Sequence, residues 1–199
     1  MPATETTWDA RHRENDAATP EEPASIVCQL LPMLADGPVL DIACGRGRHA
    51  LLVASPARPV TAVDWSSAGL DILSQRAHAV GIPVRGAEVG SPVAPSPGGI
   101  LTIRLDLERV SLPPRSFQTV VNTHYLQRSL FPQIESALRP GGMLIFETFT
   151  RAHVGGPNNP DFLLEEGELR HAFPSLDVIF YREIRAGKGM ATLVGVKPF

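Results

Sequence analysis

The sequence predicts one α/β domain built on a doubly wound, mostly parallel sheet of seven strands, and three observations lead to this prediction. Short apolar segments typical of buried strands alternate with segments whose apolar residues recur at helical spacing. A glycine-rich turn at 44–47 joins the first strand to a helix, as in sheets that bind a ligand beyond the carboxyl ends of their strands. The last two strands are joined by residues 186–189, a connection short enough for an antiparallel hairpin.

The boundaries of the predicted elements follow the apolar residues. Strands are predicted at 39–43, 60–63, 100–105, 117–123, 143–149, 178–184 and 190–196. Helices are predicted at 26–34, 49–54, 69–80, 128–138 and 165–173. Ser25 is a candidate cap for the first helix, and Ser66 or Ser67 for the third. A sharp turn is predicted at 139–142.

Two segments have no periodicity and are predicted to be loops. Residues 86–99 are rich in proline, glycine and serine, which indicates an exposed, mobile loop. Residues 151–164 follow a strand that carries candidate site residues, so they form either a lid over the site or a passive connector.

The domain boundary is predicted near residue 25. Residues 1–24 are polar, contain three prolines and are predicted to form an N-terminal arm with a short helix near 8–15. Residues 25–199 are predicted to form a single domain, because 199 residues with 43% hydrophobic content suit one buried core.

Composition narrows the classes of partner. A net charge of −3 without a basic stripe disfavours nucleic acid as a partner. Two cysteines, Cys28 and Cys44, are too few for a disulfide scaffold and lack partners at zinc-ligand spacing. No apolar run approaches membrane-spanning length, and the first residues show no signal pattern. A cytoplasmic protein without a metal or a membrane partner is therefore expected, and its oligomeric state stays open.

Polar residues follow four strands at the edge where such a sheet binds its ligand. Gly45 and Gly47 permit a tight turn and close approach of a ligand to the backbone. Asp64 ends the second strand, where an acid reaches ribose hydroxyls, and one carboxylate can accept from both hydroxyls of a diol. Asp106 and Asn122 end the third and fourth strands. The pattern suits a nucleoside, while the alternatives are a helix cap for Asp64 and an ordinary loop position for Asp106.

Five segments, in chain order, carry a family resemblance that spans nearly the whole chain. They are the arm at 8–11, the glycine-rich motif V-L-D-I-A-C-G-R-G-R-H-A at 39–50, A-V-D-W-S at 62–66, L-R-P-G-G-M-L at 138–144 and 156–164. Together they resemble class I S-adenosylmethionine-dependent methyltransferases, specifically the tellurite-resistance and thiopurine-like small-molecule group. The resemblance implies a Rossmann-like sheet and S-adenosylmethionine as cofactor. Ala43 replaces the first glycine of the motif.

The resemblance also implies which residues bind the methionine end of the cofactor. The loop at Ala43, Gly45 and Gly47 would face this end, together with the backbone around Asn122. Asp41 would contact the amino group directly or through water. Arg11 would pair with the carboxylate if the arm closes over the site.

At the adenosine end, the resemblance implies four contacts. Asp64 would hold the ribose hydroxyls and Trp65 would pack on adenine. Asp106 would bind the adenine amine, and the next residue, Leu107, is also predicted to contact the cofactor.

The methyl acceptor is predicted to be a small molecule: a thiol, a chalcogen oxyanion or an amine. Methyl transfer needs the nucleophile aligned with the S–CH3 bond, and needs a base only if the acceptor must lose a proton. His124 and Tyr125 are the candidate catalytic residues, although His124 is equally well explained as a core or capping histidine. Asn122-x-x-Tyr125 resembles the Asn-Pro-Pro-Tyr motif of enzymes that methylate amino groups, but Thr123 and His124 replace both prolines.

Two other functions remain open at this stage. The glycine turn also fits a nicotinamide-dependent oxidoreductase. An acid inside the first strand, a closing antiparallel hairpin and the lack of a substrate domain disfavour that function. A non-catalytic sensor of S-adenosylmethionine is the second alternative, and it would need no acceptor pocket.

Overall fold

An eight-stranded sheet forms the centre of the molecule. The computed structural model describes residues 9–10, 12, 22–155, 157 and 159–199, and only the backbone of Lys188. The strands are β1 (Val39–Ile42), β2 (Val60–Asp64), β3 (Val84–Gly86), β4 (Ile100–Arg104), β5 (Phe117–Thr123), β6 (Leu138–His153), β7 (Asp177–Ile184) and β8 (Lys188–Val196).

The strand order confirms the predicted architecture. The strands lie in the order β3-β4-β2-β1-β5-β6-β8-β7. All neighbours are parallel except β6 with β8 and β8 with β7, so the sheet ends in the predicted antiparallel hairpin. The predicted count of seven strands is wrong because β3 was missed. β3 has three residues and pairs only with β4, so it is defined by its partner and is too short for a periodic pattern.

Five helices flank the sheet within the described part of the chain. They are α1 (Ser25–Leu30), α2 (Arg48–Val53), α3 (Ser67–Ala79), α4 (Phe131–Ala137) and α5 (Glu168–His171). Short 3-10 turns lie at Leu31–Met33, Arg128–Leu130 and Pro160–Phe162.

Several helix ends differ from the prediction, for example in the helices predicted at 26–34, 128–138 and 165–173, and the structure explains two of the differences. Ser25 does not cap α1, since the capping position is Ala24 and no side chain caps it. The helix predicted from residue 165 begins only at Glu168, because Gly167 takes a left-handed conformation with φ 73°. Ser66 does cap α3: its hydroxyl accepts the backbone N–H of Gly69 at 3.1 Å.

The turn predicted at 139–142 lies inside β6. Phe117 pairs with Leu138 and Thr119 pairs with Met143, so the four intervening residues of β6 form a bulge in the ladder. Gly141, with φ 72°, supplies the left-handed backbone that the bulge requires.

The loop at 86–99 is more firmly anchored than its composition predicts. Val93 and Ser96 are buried. The hydroxyl of Thr61 in β2 donates to the carbonyl of Ala94 at 2.8 Å. The prediction of an exposed loop is therefore wrong for Val93 and Ser96, because these two side chains are buried by long-range packing, whereas Ala94 between them is exposed as predicted.

Segment 151–164 returns to the sheet at its far end. Leu164 bridges to Thr150 of β6. The guanidinium of Arg128 donates to the carbonyls of Asp161 and Leu163 at 3.0 Å, and it also pairs with Glu168 at 2.6 Å. One side chain thus holds the end of this segment against the turn that follows β5.

Register brings the carboxyl ends of the central strands together. β1 and β2 are buried along their whole length. Ile42 lies level with Val63 of β2 and Asn122 of β5, and Asn122 lies level with Phe146 of β6. The residues that follow these strands therefore meet at one edge of the sheet.

Candidate active site

The loop between β1 and α2 makes a tight backbone turn that only small residues allow. Gly45 and Gly47 have φ values of 53° and 77°, in the left-handed region. A Cβ atom on Gly47 would lie 2.1 Å from a methyl group of Leu73 in α3, so this position also has no room for a side chain. Ala43 takes φ 53° despite its Cβ, which shows that the surrounding structure holds this turn firmly.

Asp64 ties this loop to the end of β2. Its carboxylate accepts the backbone N–H of Gly45 at 2.7 Å and that of Ser66 at 2.8 Å. Burial raises the pKa of Asp64, while these backbone hydrogen bonds and the nearby His12 act in the opposite direction. Each carboxylate oxygen has a second lone pair, so both can still accept a ligand hydroxyl.

Two residues of the arm lie against the same loop. The buried carboxylate of Asp9 accepts the hydroxyl of Ser66 at 2.5 Å and the N–H of Ala68 at 3.2 Å at the start of α3. The imidazole of His12 lies 3.2 Å from where a Cβ of Gly45 would stand. Asp9 and His12 therefore pack against the glycine turn and the start of α3. Arg11, predicted to pair with a carboxylate, lies outside the described residues.

Asp41 is almost completely buried inside β1. Its carboxylate accepts the backbone N–H of Ala50 at 3.0 Å, which fixes the start of α2 to the strand. Burial raises its pKa from 3.8 to about 7, and the charge of Asp64 adds to this, whereas the Ala50 hydrogen bond and Arg48 lower it. A positive charge placed near this pair of carboxyl groups would favour their ionised forms.

A cavity of about 390 Å³ lies beyond the ends of β2 and β4. Trp65 and Asp106 line it together with Val93 and Arg104. Asp106 lies two residues beyond the end of β4; its carboxylate accepts the N–H of Glu108 at 2.9 Å and faces Arg109 at 3.6 Å. Leu107, its neighbour, is buried in the core. We name Asp41, Asp64 and Asp106 the acidic side of the site.

Asn122 and Tyr125 form the turn that follows β5. The buried side-chain amide of Asn122 donates to the carbonyl of Tyr125 at 2.8 Å, which closes the turn. Burial raises the pKa of the Tyr125 phenol, and Glu108, Asp106 and Asp64 raise it further. The phenol therefore stays protonated at neutral pH and lies among the acids.

His124 lies on the other side of the turn, apart from Tyr125. Its imidazole is exposed and stacks on Phe149 of β6 with ring centroids 4.8 Å apart. Phe149 in turn contacts the ring of His153, at 4.4 Å. The structure thus separates the two candidate catalytic residues: Tyr125 faces the acids and His124 faces β6.

Two residues to which the sequence assigned no role connect His124 to the glycine turn. Arg48 donates to Thr123 Oγ1 at 3.4 Å and to His124 Nδ1 at 2.9 Å. The buried His49 Nε2 accepts the backbone N–H of Ala24 at 3.0 Å, and its Nδ1 lies 3.3 Å from Thr123 Oγ1. Both residues directly follow Gly47, and this position next to the glycine-rich motif is the feature of the sequence that indicates a role in the site.

His49 is held in its neutral form. Burial lowers its pKa to about 3, and the charge of Arg48 acts in the same direction. Since Nε2 accepts a backbone N–H, the ring hydrogen is on Nδ1 and points to Thr123. We name Arg48, His49, His124, Phe149 and His153 the imidazole side of the site.

Glu147 lies in β6, where it pairs with Thr192 of β8. Its buried carboxylate accepts the hydroxyl of Thr192 at 2.6 Å, and Arg182 lies 4.0 Å away. Thr148, also buried, follows it in β6. The contacts of Glu147 tie it to the neighbouring strands of the sheet.

The described residues hold neither a cluster of metal ligands nor a membrane-spanning helix. Within the described ranges, no group of three His, Cys, Asp or Glu side chains is arranged to hold a metal ion. Over the same residues, no helix has both the length and the apolar character that a membrane span requires.

Comparison with known proteins identifies the family. The family profile described as "Methyltransferase domain" matches residues 39–142, which run from the first residue of β1 to the bulge of β6. No curated protein sequence matches the chain.

Solved structures share the fold at low sequence identity. TehB from Haemophilus influenzae aligns with a TM-score of 0.70 and 16% identity over 96% of this chain and 67% of that chain. The N-methyltransferase NodS from Bradyrhizobium japonicum WM9 has a TM-score of 0.64 and 16% identity, over 96% and 99% of the two chains. A methyltransferase from Mesorhizobium loti described as S-adenosylmethionine-dependent has a TM-score of 0.62 and 18% identity, over 86% and 96%. The chain therefore belongs to the methyltransferase domain family and shares the fold of these methyltransferase structures, so the sequence-based prediction of a methyltransferase is confirmed.

Proposed function

We propose that this enzyme transfers the methyl group of S-adenosylmethionine to a small-molecule acceptor at the carboxyl edge of the sheet. The observation that carries the proposal is the position of Asp64, whose buried carboxylate is oriented by Gly45 and Ser66 at the mouth of the glycine turn. A carboxylate in this position can accept both hydroxyls of a ribose.

The residues of the acidic side suit this cofactor. Asp64 would hold the ribose, and the cavity lined by Trp65 and Asp106 would take the adenine. Gly45 lets a ligand approach the backbone of the turn, because among the described residues His12 alone lies within 4 Å of where its Cβ would stand. The cofactor carries positive charge, which the buried carboxyl groups of Asp41 and Asp64 would stabilise electrostatically.

The cofactor supplies an electrophilic methyl group on a sulfonium, so the protein's task is to position the acceptor and to exclude water. β1 and β5 are neighbours in the sheet, so the glycine turn and the turn at Asn122, which follow these strands, lie next to each other at its carboxyl edge. The imidazole side offers hydrogen-bonding and aromatic groups to an acceptor, through His124 and Phe149. Arm residues Asp9 and His12 cover the glycine turn and would shield the cofactor from solvent.

A small acceptor fits the charge of the protein. The net charge of −3 does not favour binding to nucleic acid. The resemblance to the tellurite-resistance and thiopurine-like group supports a thiol, a chalcogen oxyanion or an amine as the acceptor.

The test is calorimetric titration of the protein with S-adenosylmethionine, S-adenosylhomocysteine and NAD. We expect the wild type to bind the first two and not NAD, and Asp64→Asn to lose about tenfold or more in affinity through weaker hydrogen bonds to the ribose. Asp71→Asn is the matched control, because Asp71 is an exposed residue of α3. Thermal unfolding of both variants separates loss of binding from loss of fold. Binding of NAD, or undiminished binding by a folded Asp64→Asn protein, would contradict the proposal.

A further inference from the structure

The feature that carries a further inference is the hydrogen bond between Arg48 and His124. Arg48 Nη2 lies 2.9 Å from His124 Nδ1, a normal distance for a hydrogen bond. A guanidinium has only donors and stays charged in proteins. The imidazole nitrogen that faces it must therefore accept, so Nδ1 carries no hydrogen and the ring hydrogen of His124 is on Nε2.

The ring of His124 is held in a fixed orientation. Its backbone has φ 58°, a conformation that costs a residue with a Cβ about 1–2 kcal/mol. Its backbone N–H donates to the carbonyl of Glu147 at 2.8 Å, which holds the residue against β6. The imidazole stacks on Phe149 at an interplanar angle of 25°. Packing of this kind prevents the ring from exchanging its two nitrogens freely.

The guanidinium of Arg48 is itself held from a second direction. The same Nη2 atom also donates to Thr123 Oγ1, at 3.4 Å. This hydroxyl lies beside His49 Nδ1, and the ring of His49 is anchored by the backbone of Ala24. Because Nδ1 of His49 bears the hydrogen, Thr123 Oγ1 accepts from His49 as well.

Four charged or titratable groups near His124 belong to the described residues, and the contacts that the structure shows for them are compatible with a neutral His124. Arg48 from the start of α2 is cationic, and a second hydrogen on His124 Nδ1 would face its N–H group. His49, also from α2, is neutral because its pKa is lowered by burial. From β6, His153 lies behind Phe149, and the carboxylate of Glu147 is bound to Thr192 of β8.

We propose that Arg48 is a positioning residue that fixes His124 as the neutral Nε2–H tautomer, so that His124 does not act as the general base of methyl transfer. Nδ1 accepts from Arg48 and Nε2 already carries a hydrogen, so neither nitrogen can take a proton from the acceptor. Any proton that the acceptor loses therefore goes to another group. The inference rests on the proposed function only for the reaction in which His124 would otherwise be the base.

The experiment is nitrogen-15 NMR of the histidine side chains in the full chain at pH 7.5, with and without S-adenosylhomocysteine. His124→Asn assigns the signal, because asparagine tolerates the left-handed backbone at this position. We expect the Nε2–H tautomer of His124 in the wild type and a coupling across the hydrogen bond from Arg48 to Nδ1. We expect Arg48→Met to abolish the coupling and to raise the fraction of the other tautomer several-fold. Arg48→Lys keeps a donor and should restore the wild-type tautomer.

The control and the contrary outcomes are equally specific. His153→Gln should leave the signal of His124 unchanged, because His153 contacts Phe149 and supplies no bond to Nδ1. An Nδ1–H or doubly protonated His124 in the wild type would overturn the proposal, as would an unchanged tautomer fraction in a folded Arg48→Met protein. Absence of ligand binding in the same samples would instead contradict the proposed function and leave the tautomer result standing.

Discussion

The acidic side and the imidazole side of the site differ in how they carry charge. On the acidic side, Asp41 and Asp64 are buried carboxyl groups whose pKa is raised, so ionising them costs free energy until a cation arrives. On the imidazole side, His49 is a buried base whose pKa is lowered, and Arg48 supplies a permanent positive charge. The two sides therefore differ in the ligand that they suit. Under the proposed function, the acidic side would stabilise a cationic cofactor, and the imidazole side would offer hydrogen-bond donors to an acceptor.

The largest expected effect tests whether the acidic side depends on its backbone turn. Gly47→Val should destabilise the protein by about 3–5 kcal/mol, because it combines left-handed strain with overpacking against Leu73. Urea unfolding measures the change. Gly81→Ala, at φ 74° with no atom within 4 Å of the added Cβ, is the control and should cost only the strain, about 1–2 kcal/mol. Equal losses in the free energy of unfolding of the two variants would show that the side chain of Leu73 moves aside without destabilising the protein.

The second effect concerns the pH dependence that Asp41 imposes. Its folded-state pKa of about 7 lies above the ordinary aspartate pKa of 3.8, so the folded protein binds the proton more tightly than the unfolded chain does. The contribution of Asp41 to stability is therefore full below about pH 4 and is lost as pH rises towards 7 and above.

Asp41→Asn should remove this loss. At roughly 1.4 kcal/mol per pKa unit, the variant should be a few kcal/mol more stable than the wild type at pH 8 and little changed at pH 4. Its amide oxygen can still accept the N–H of Ala50. Urea unfolding from pH 4 to 8 measures the difference, and parallel curves for variant and wild type would show that Asp41 ionises without cost in the folded protein.

The third effect is the opposite pH dependence of the imidazole side. The pKa of His49 falls from 6.5 to about 3 on folding, so the unfolded chain binds the proton more tightly than the folded protein does. The contribution of neutral His49 is therefore present above about pH 6.5 and is lost as pH falls towards 3.

His49→Gln should abolish this acid sensitivity. It should cost about 1–3 kcal/mol at pH 7 through weaker hydrogen bonds to Ala24 and Thr123, and less at pH 5. Exposed His78 of α3 provides the matched variant, His78→Gln, which should leave the profile unchanged. A loss that is the same at both pH values would mean that packing alone explains the effect of His49.

The smallest effect compares one hydroxyl on each side. Ser66→Ala removes the cap of α3 and a bond to Asp9, and it should cost about 1 kcal/mol. Thr123→Val, on the imidazole side, leaves His49 Nδ1–H without its acceptor and should cost about 1–3 kcal/mol. Thermal unfolding of the two variants decides the order, and a larger loss for Ser66→Ala would show that docking of the arm is the stronger contribution.

The sequence predicts the acidic side better than the imidazole side, and the reason is the range of the contacts. The glycine turn and Asp64 belong to local motifs whose glycines and acids follow directly from backbone and ligand chemistry. The bonds among Arg48, Thr123 and His124 join α2 to β5, and they exist only because β1 pairs with β5 in the folded sheet. The side chains of His124 and Tyr125 point to different sides because His124 has a positive φ angle, and a histidine in the sequence does not predict such an angle.

The fold shows the same limit. Alternating apolar segments predict seven strands and the closing hairpin because each pattern is contained within its own segment. Strand β3 and the bulge at 139–142 are defined by partners elsewhere in the chain, β4 and β5 respectively. The start of the fifth helix is set by the left-handed Gly167, which apolar periodicity does not detect.

The position of β8 has a consequence for the order in which the chain folds during synthesis. β8 pairs with β6 on one side and β7 on the other, although it is made after both. Until β8 leaves the ribosome, the nascent chain exposes the unpaired edges of β6 and β7 that β8 covers in the folded sheet. A stalled or slowly translated message would prolong this aggregation-prone interval, so yield of active protein in a cell should depend on translation speed over the codons of β8.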